Sequence, residues 1–222
     1  MNISSNPPVI AIDGPSGSGK GTVAELVARE LGFHYLDSGA IYRAAALAAK
    51  RAGVDFSDQA GLIALAQNLP LRFENGEIWL GNEQVSEAIR SEQSGEDASK
   101  IAAIPLLRQA LLARQRAFLQ PPGLVADGRD MGSVVFPQSG LKIFLTASAE
   151  ARAERRTKQL KQKGIHVIMS DVLKDLQQRD SRDSSRVTAP LRQSADAHLL
   201  DTSHMTIEQA VAQVLNWYRE SK

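Results

Sequence analysis

Nine consecutive residues, Gly14-Pro15-Ser16-Gly17-Ser18-Gly19-Lys20-Gly21-Thr22, set small, glycine-rich backbone around a single lysine. Glycines let successive N–H groups turn toward one point, and such a nest at a helix N-terminus attracts phosphate oxygens. Lys20 adds a full positive charge where β- and γ-phosphate oxygens would lie. The motif needs a strand before it and a helix after it. Val9-Ile10-Ala11-Ile12 reads as a short buried strand, and Val23, Leu26, Val27 and Leu31 recur at helical spacing up to a stop at Gly32. This segment is therefore expected to hold the phosphates of a nucleoside triphosphate. It departs from the strict pattern at Gly21, where Ser or Thr would directly follow the lysine. That weakens Mg²⁺ ligation by a hydroxyl and leaves the protein's metal ligands unknown, the ion resting largely on triphosphate oxygens and water. Ser16 and Ser18 have no base partner that would make them nucleophiles.

Three further clusters could bind the group that receives a phosphoryl. Asp37-Ser38-Gly39-Ala40-Ile41-Tyr42-Arg43 follows a second apolar run, so Ser38 can cap the next helix and Arg43 can reach from it toward an anion. Asp127-Gly128-Arg129-Asp130-Met131-Gly132 follows a third. There Arg129 offers a planar fork to phosphate, and Asp130 can accept from a sugar or amino group or order Arg129. Arg179-Asp180-Ser181-Arg182-Asp183-Ser184-Ser185-Arg186 is the densest charged run. If helical, it places Arg179, Arg182, Asp183 and Arg186 on one face. A solvated helix laced with Arg–Asp pairs is the plainer reading of such a run. A phosphoryl-transfer site, however, requires a clamp of positive charge, and these arginines can supply it.

The rest of the composition narrows the function classes. Lys plus Arg number 26 against 25 Asp plus Glu, a net charge of +1, so no global field marks a nucleic-acid or membrane-surface binder. There is no cysteine, which removes disulfides, thiolate metal sites and thiol nucleophiles. Met1–Pro8 lacks the order of a signal peptide, and no apolar run approaches a membrane span of about 20 residues. A soluble, cytoplasmic protein with small-molecule partners is expected, monomeric, with neither nucleic acid nor membrane among its partners. His34, His166, His198 and His204 form no ligand-spaced set, and Trp79 and Trp217 read as packing groups.

The elements that must position these residues alternate. Phe33–Leu36, Leu124–Ala126, Ile143–Leu145 and His198–Leu200 are strand-length runs, and Ile41–Ala52 and Leu106–Leu119 read as helices, the second started by Pro105. Short buried strands alternating with helices predict a parallel sheet covered on both faces. Leu71–Val85 breaks the alternation. Asn75-Gly76 and Gly81-Asn82 are hairpin signals, so this stretch predicts a small inserted antiparallel meander. Arg152–Arg192 is basic and poor in apolar residues, as expected of helices bordering a mobile lid. Thr206 and Gln209 form a capping box for a last helix whose apolar face carries Ile207, Ala210, Val211, Val214, Leu215 and Tyr218.

Taken together, Ile12–Thr22, Leu36–Arg43, Ala126–Phe136, Arg179–Arg186 and Ala189-Pro190-Leu191 closely resemble the bacterial-type cytidylate kinases of the nucleoside monophosphate kinase family. The resemblance runs from Val9 to the last helix. It implies a P-loop NTPase three-layer α/β fold with a five-stranded parallel sheet, an inserted meander and a short lid. The corresponding boundaries are a core of 9–65 and 102–222, an acceptor-binding insert at about 66–101 and a lid at about 155–168. It also implies transfer of the γ-phosphoryl of ATP to CMP or dCMP with Mg²⁺, a UMP/CMP-type or other small-acceptor kinase being the alternative. By the same resemblance Gly14–Thr22 would bind ATP. Ser38, Arg43, Arg129 and Asp130 would contact the acceptor phosphate or sugar. Ser99 and Arg108 would read the cytosine, and Arg179, Asp183 and Arg186 would touch the acceptor sugar and phosphates. Lys20, Arg129, Arg179 and Arg186 would carry the catalysis. Ser133 stands where the family often has Thr, which keeps the hydroxyl.

Overall fold

The computed structural model describes residues 6–74 and 76–221. Asn75 of the expected Asn75-Gly76 turn and the first five residues of the polar N-terminal stretch lie outside the described residues. In chain order the elements are β1 (Val9–Asp13), α1 (Lys20–Leu31), β2 (His34–Asp37), α2 (Ser38–Arg51), α3 (Gln59–Gln67), β3 (Leu71–Glu74), β4 (Glu77–Leu80) and β5 (Glu83–Gln84). They continue with α4 (Glu92–Ile101), α5 (Pro105–Arg116), β6 (Leu124–Gly128), β7 (Leu141–Thr146), α6 (Ala149–Gln162), α7 (Met169–Ser184), β8 (His198–Asp201) and α8 (Ile207–Glu220). The chain forms two compact units, one of residues up to Leu36 together with those from Arg116 onward, the other of Asp37–Gln115.

The first unit is built on a five-stranded sheet in the order β2-β6-β1-β7-β8. Central β1 pairs in parallel with β6 (Ile10↔Val125) and with β7 (Ile10↔Leu141), and β7 pairs in parallel with β8 (Ile143↔His198). Every residue of β1 and β6 is buried, which is why both read as unbroken apolar runs rather than as alternating ones. Ile10, Ile12, Val125, Ile143 and Leu145 meet Val23 and Val27 of α1 and Val211, Val214 and Tyr218 of α8 in one core. The helical spacing of those apolar residues is thus explained by burial on one sheet face. On the opposite face a π turn, Met131–Val135, brings Gly132 so near that a Cβ there would stand 3.4 Å from the Ala11 Cβ. The capping box of Thr206 and Gln209 forms as its spacing predicts.

The second unit joins α2, α3, α4 and α5 to a three-stranded antiparallel sheet, β3-β4-β5, with Leu71↔Leu80 and Trp79↔Gln84 in register. Val85 and Ile89 pack with Ala40, and the Arg114 guanidinium donates to the carbonyls of Leu69 (2.7 Å) and Leu71 (3.1 Å), fastening α5 to the meander. Among the described residues no helix is long and apolar enough to cross a membrane.

Some expected boundaries move. The second helix begins at Ser38 rather than Ile41, because Asp37 and not Ser38 is its cap, accepting the Ala40 N–H at 2.9 Å. The fourth cluster of charge is only partly helical: α7 ends at Ser184, so Arg186 lies past it rather than on a shared helical face.

Candidate active site

The donor loop joins β1 to α1, as its motif requires. Gly14 has no room for a side chain, since a Cβ would stand 1.9 Å from the Leu145 carbonyl oxygen. Gly17 (φ 73°) and Gly19 (φ 90°) adopt left-handed backbone that favours glycine. Lys20 is buried at the first position of α1, and its Nζ donates to the Pro15 carbonyl at 3.2 Å. Gly21 is constrained from the other side. A Cβ there would come 2.9 Å from Asp127 Oδ2, which also accepts from the Tyr35 hydroxyl at 3.2 Å. A carboxylate oxygen therefore occupies the space beside the position where the strict motif carries a hydroxyl residue. Ser16 and Ser18 sit in the loop with their carbonyls engaged by α6 and Thr202 rather than with a catalytic base.

Asp13 closes β1 immediately before the loop. Its two carboxylate oxygens accept the N–H groups of Met131 (2.8 Å) and Gly132 (2.9 Å), so one side chain ties the start of the donor loop to the turn that follows Arg129 and Asp130. Burial pushes its carboxyl up from 3.8 to about 6, against the pull of those two N–H groups and of Lys20 and with the help of the Asp130 charge.

Arg129 stands at the carboxyl end of β6, where open α/β sheets bind ligands. Its Nε donates to Asp183 Oδ2 at 2.6 Å, and its NH1 donates to the Gly128 carbonyl at 3.2 Å. Asp183 Oδ1 accepts from Arg186, so a single buried carboxylate holds both guanidinium groups. Burial alone would raise the Asp183 carboxyl, but the charges of Arg129 and Arg186, aided by Arg179, keep it below the usual carboxylate range. Burial likewise works against the Arg129 cation, and Asp183 outweighs it and raises its pKa. Asp183 thus orders Arg129. Asp130 is itself buried, leading into the π turn.

In the second unit Arg43 NH2 pairs with Asp37 Oδ2 at 2.7 Å, which presents the guanidinium at the N-terminal end of α2 beside Gly39. Ser38 is buried at the first position of that helix. Ser99 is buried on α4. Arg108 is buried on α5, lies 5.6 Å over the Tyr42 ring and donates to the Ala102 carbonyl at 3.3 Å. The structure therefore gathers Gly14–Thr22 into one loop and Arg129, Asp183 and Arg186 into one cluster, with Arg179 a turn earlier on α7. Ser38, Arg43, Ser99 and Arg108 belong to three helices of the other unit.

A glycine-rich phosphate loop with a buried lysine, together with a carboxylate-locked arginine cluster, is the equipment of a phosphotransferase. Residues 10–220 match the family model for cytidylate kinase. This chain belongs to the cytidylate kinase family. It is 58% identical over 212 residues to the cytidylate kinase of Burkholderia vietnamiensis, covering 96% of this chain and 93% of that one. It is 55% identical over 215 residues to that of Chromobacterium violaceum, with 97% of each covered. Among solved structures it is similar to a gluconokinase from Sinorhizobium meliloti, at 16% identity and a TM-score of 0.49, covering 97% of this chain and 98% of that one.

Several residues that shape the donor loop and the acceptor-side clusters do not stand out in the sequence. Asp13 reads as the end of a strand, and its role appears only when β1 is placed beside the Met131–Val135 turn. Asp127 falls within a motif, but its neighbour Gly21 is more than a hundred residues away. Tyr42 stands next to Arg43 and reads as an apolar face residue until Arg108 is seen over its ring. Asp180 and Arg152 are hidden among other charged residues, and no spacing rule singles them out.

Proposed function

We propose that this member of the cytidylate kinase family transfers the γ-phosphoryl group of ATP to CMP or dCMP, giving ADP and CDP or dCDP. The observation that carries the reading is the Arg129–Asp183–Arg186 cluster in the same compact unit as the donor loop. Guanidinium groups pre-positioned by a buried carboxylate need no reorganisation when phosphate charge develops between donor and acceptor, which is where such stabilisation is most effective. In this reading Gly14–Thr22 cradle the triphosphate and Lys20 exchanges its Pro15 carbonyl for phosphate oxygens. Arg129, Arg179 and Arg186 neutralise the transferring group and the acceptor phosphate. Asp130 and Asp183 contact the acceptor sugar, and Ser38, Arg43, Ser99 and Arg108 bind its phosphate and base. The attacking CMP oxygen is already anionic, so positioning and charge neutralisation carry the reaction without a general base.

The oxygen chemistry near the loop fits a magnesium ion brought in with ATP. Asp127 offers a hard carboxylate oxygen beside Gly21, and Thr22 offers a hydroxyl at the start of α1. Bound there, the ion would neutralise phosphate charge while keeping most of its water. We further propose that residues 66–101 act as the acceptor-binding insert and residues 155–168 as the lid. The latter stretch comprises the end of α6 and the connection into α7, where Ile165 and Ile168 are exposed.

An acceptor screen at fixed ATP tests the function. CMP and dCMP should give the highest kcat/KM, with UMP and other nucleoside monophosphates lower. Preference for UMP would refute the base assignment, and failure of every acceptor to elicit ADP would refute the kinase reading.

A further inference from the structure

The donor loop is gripped by its carbonyls. The Ser16 carbonyl accepts from Arg152 NH1 at 2.9 Å, and the Ser18 carbonyl accepts from Arg155 at 3.5 Å and lies 3.3 Å from the Thr202 hydroxyl, whose single hydrogen it shares with the Thr146 carbonyl at 3.1 Å. Arg152 is buried and firmly held: its Nε donates to the Ala147 carbonyl at 3.0 Å, and its NH1 pairs with Asp180 Oδ2 at 2.6 Å. Asp180 uses its other oxygen to accept the Ser16 N–H at 3.2 Å. Both polar backbone groups of Ser16 are therefore taken by one ion pair, contributed by α6 and α7.

A planar trans peptide points its C=O and N–H in opposite directions. Drawing the Ser16 and Ser18 carbonyls toward Arg152 and Thr202 turns the N–H groups of Gly17 and Gly19 the opposite way. The preceding peptide agrees with this alternation. The Pro15 carbonyl faces Lys20 Nζ, and the Ser16 N–H on the same peptide faces Asp180. Glycines at φ 73° and 90° are permitted many other conformations, so an unrestrained loop would lose conformational entropy each time it ordered around phosphate. Side chains gripping the carbonyls remove that freedom before the ligand arrives.

We infer that Arg152, supported by Asp180 and Thr202, is a positioning residue of the donor loop: by holding carbonyls outward it aims the Gly17 and Gly19 amides at the donor's phosphates without touching them. The inference rests on the reading of Gly14–Thr22 as the ATP site. It assigns a role to the Arg152–Asp180 pair distinct from that of Arg129 and Arg186, which are held by a different carboxylate.

Calorimetric titration of ATP, ADP and CMP into wild type, Arg152→Gln and Arg152→Lys tests it. Arg152→Gln should weaken ATP and ADP alike, each by about tenfold, from loss of a charge-assisted bond and of loop order, and CMP should change by less than about twofold. Arg152→Lys, which keeps the charge and one donor, should recover part of the loss. Weakening confined to ATP would overturn the inference by placing Arg152 on the γ-phosphate itself. Unchanged ADP affinity, or an equal loss for CMP, would overturn it as well. Should Arg152→Gln fail to fold, Asp180→Asn keeps an acceptor for the Ser16 N–H but loses the ion pair. It should weaken ADP by about threefold, and full ADP affinity in that variant would refute the role. Absence of ADP binding by the wild type would instead sink the donor-site reading on which the inference depends.

Discussion

Replacing Asp183 with Ala strips the shared partner from Arg129 and Arg186. The Asp183 and Arg186 side chains are 3% and 5% exposed and that of Arg129 is 19% exposed, so two guanidinium groups would be left largely out of water. Removing one member of a buried ion pair costs about 3–5 kcal/mol. The partial exposure of Arg129, and its attraction to Asp127 and Asp180, place the expected loss at the low end, about 3 kcal/mol. For a chain of this size each kcal/mol lowers Tm by about 2–4 °C, so a fall of about 6–12 °C should appear in differential scanning calorimetry. Arg186→Ala and the double variant complete a thermodynamic cycle, in which the Asp183–Arg186 coupling should reach at least about 1.5 kcal/mol. The sign with pH follows from the lowered Asp183 pKa. Its stabilisation is present above the usual carboxylate value of 3.8 and is lost as pH falls toward the depressed folded value. The wild-type advantage over Asp183→Ala should therefore hold at pH 7 and shrink in acid. A Tm loss below about 2 °C with coupling below about 0.5 kcal/mol would refute the idea that this carboxylate holds the arginines in place.

Lys20→Ala should reduce kcat at least about a hundredfold in a coupled ADP-release assay, and near-normal turnover would contradict its role on the transferring phosphate. Gly14→Ala must push the backbone away from the Leu145 carbonyl, which a Cβ would approach to 1.9 Å. Overpacking of that kind costs about 1–3 kcal/mol or more, so unchanged Tm together with unchanged KM for ATP would show that the loop is looser than described. Asp13, raised from 3.8 to about 6, holds its proton more tightly in the folded state than in the unfolded one. Its contribution is complete below the unfolded value and disappears as pH rises through about 6, a change of about 3 kcal/mol. Urea denaturation of wild type and Asp13→Asn between pH 4 and 7 should show the wild type losing ground to the variant as pH rises. A difference that grows with pH would reverse the assignment.

Apolar periodicity was sufficient for the sheet, because β1 and β6 are buried on both faces and α1 and α8 each press one stripe onto the same core. The hairpin chemistry around Gly76 and Gly81 likewise announced the meander, both glycines having positive φ. Helix ends were less legible. Asp37 and Ser38 are both good caps, and which of them terminates α2 depends on backbone geometry that neighbouring residue types do not specify. Charge spacing continues past Ser184 although α7 does not, so the end of this helix is not legible from the run itself.

Sequence by itself determined that a phosphate loop exists, where its lysine stands and which arginines are available, since these follow from residue types at short fixed spacings within one strand, turn and helix. Tertiary structure decided which carboxylate each arginine meets. Arg129 finds Asp183, 54 residues along, and the Ser16 N–H finds Asp180, 164 residues away. Such pairings depend on strand order and on the seating of α7 beside the loop, so an Arg–Asp run reads alike whether its charges face solvent or grip an active site.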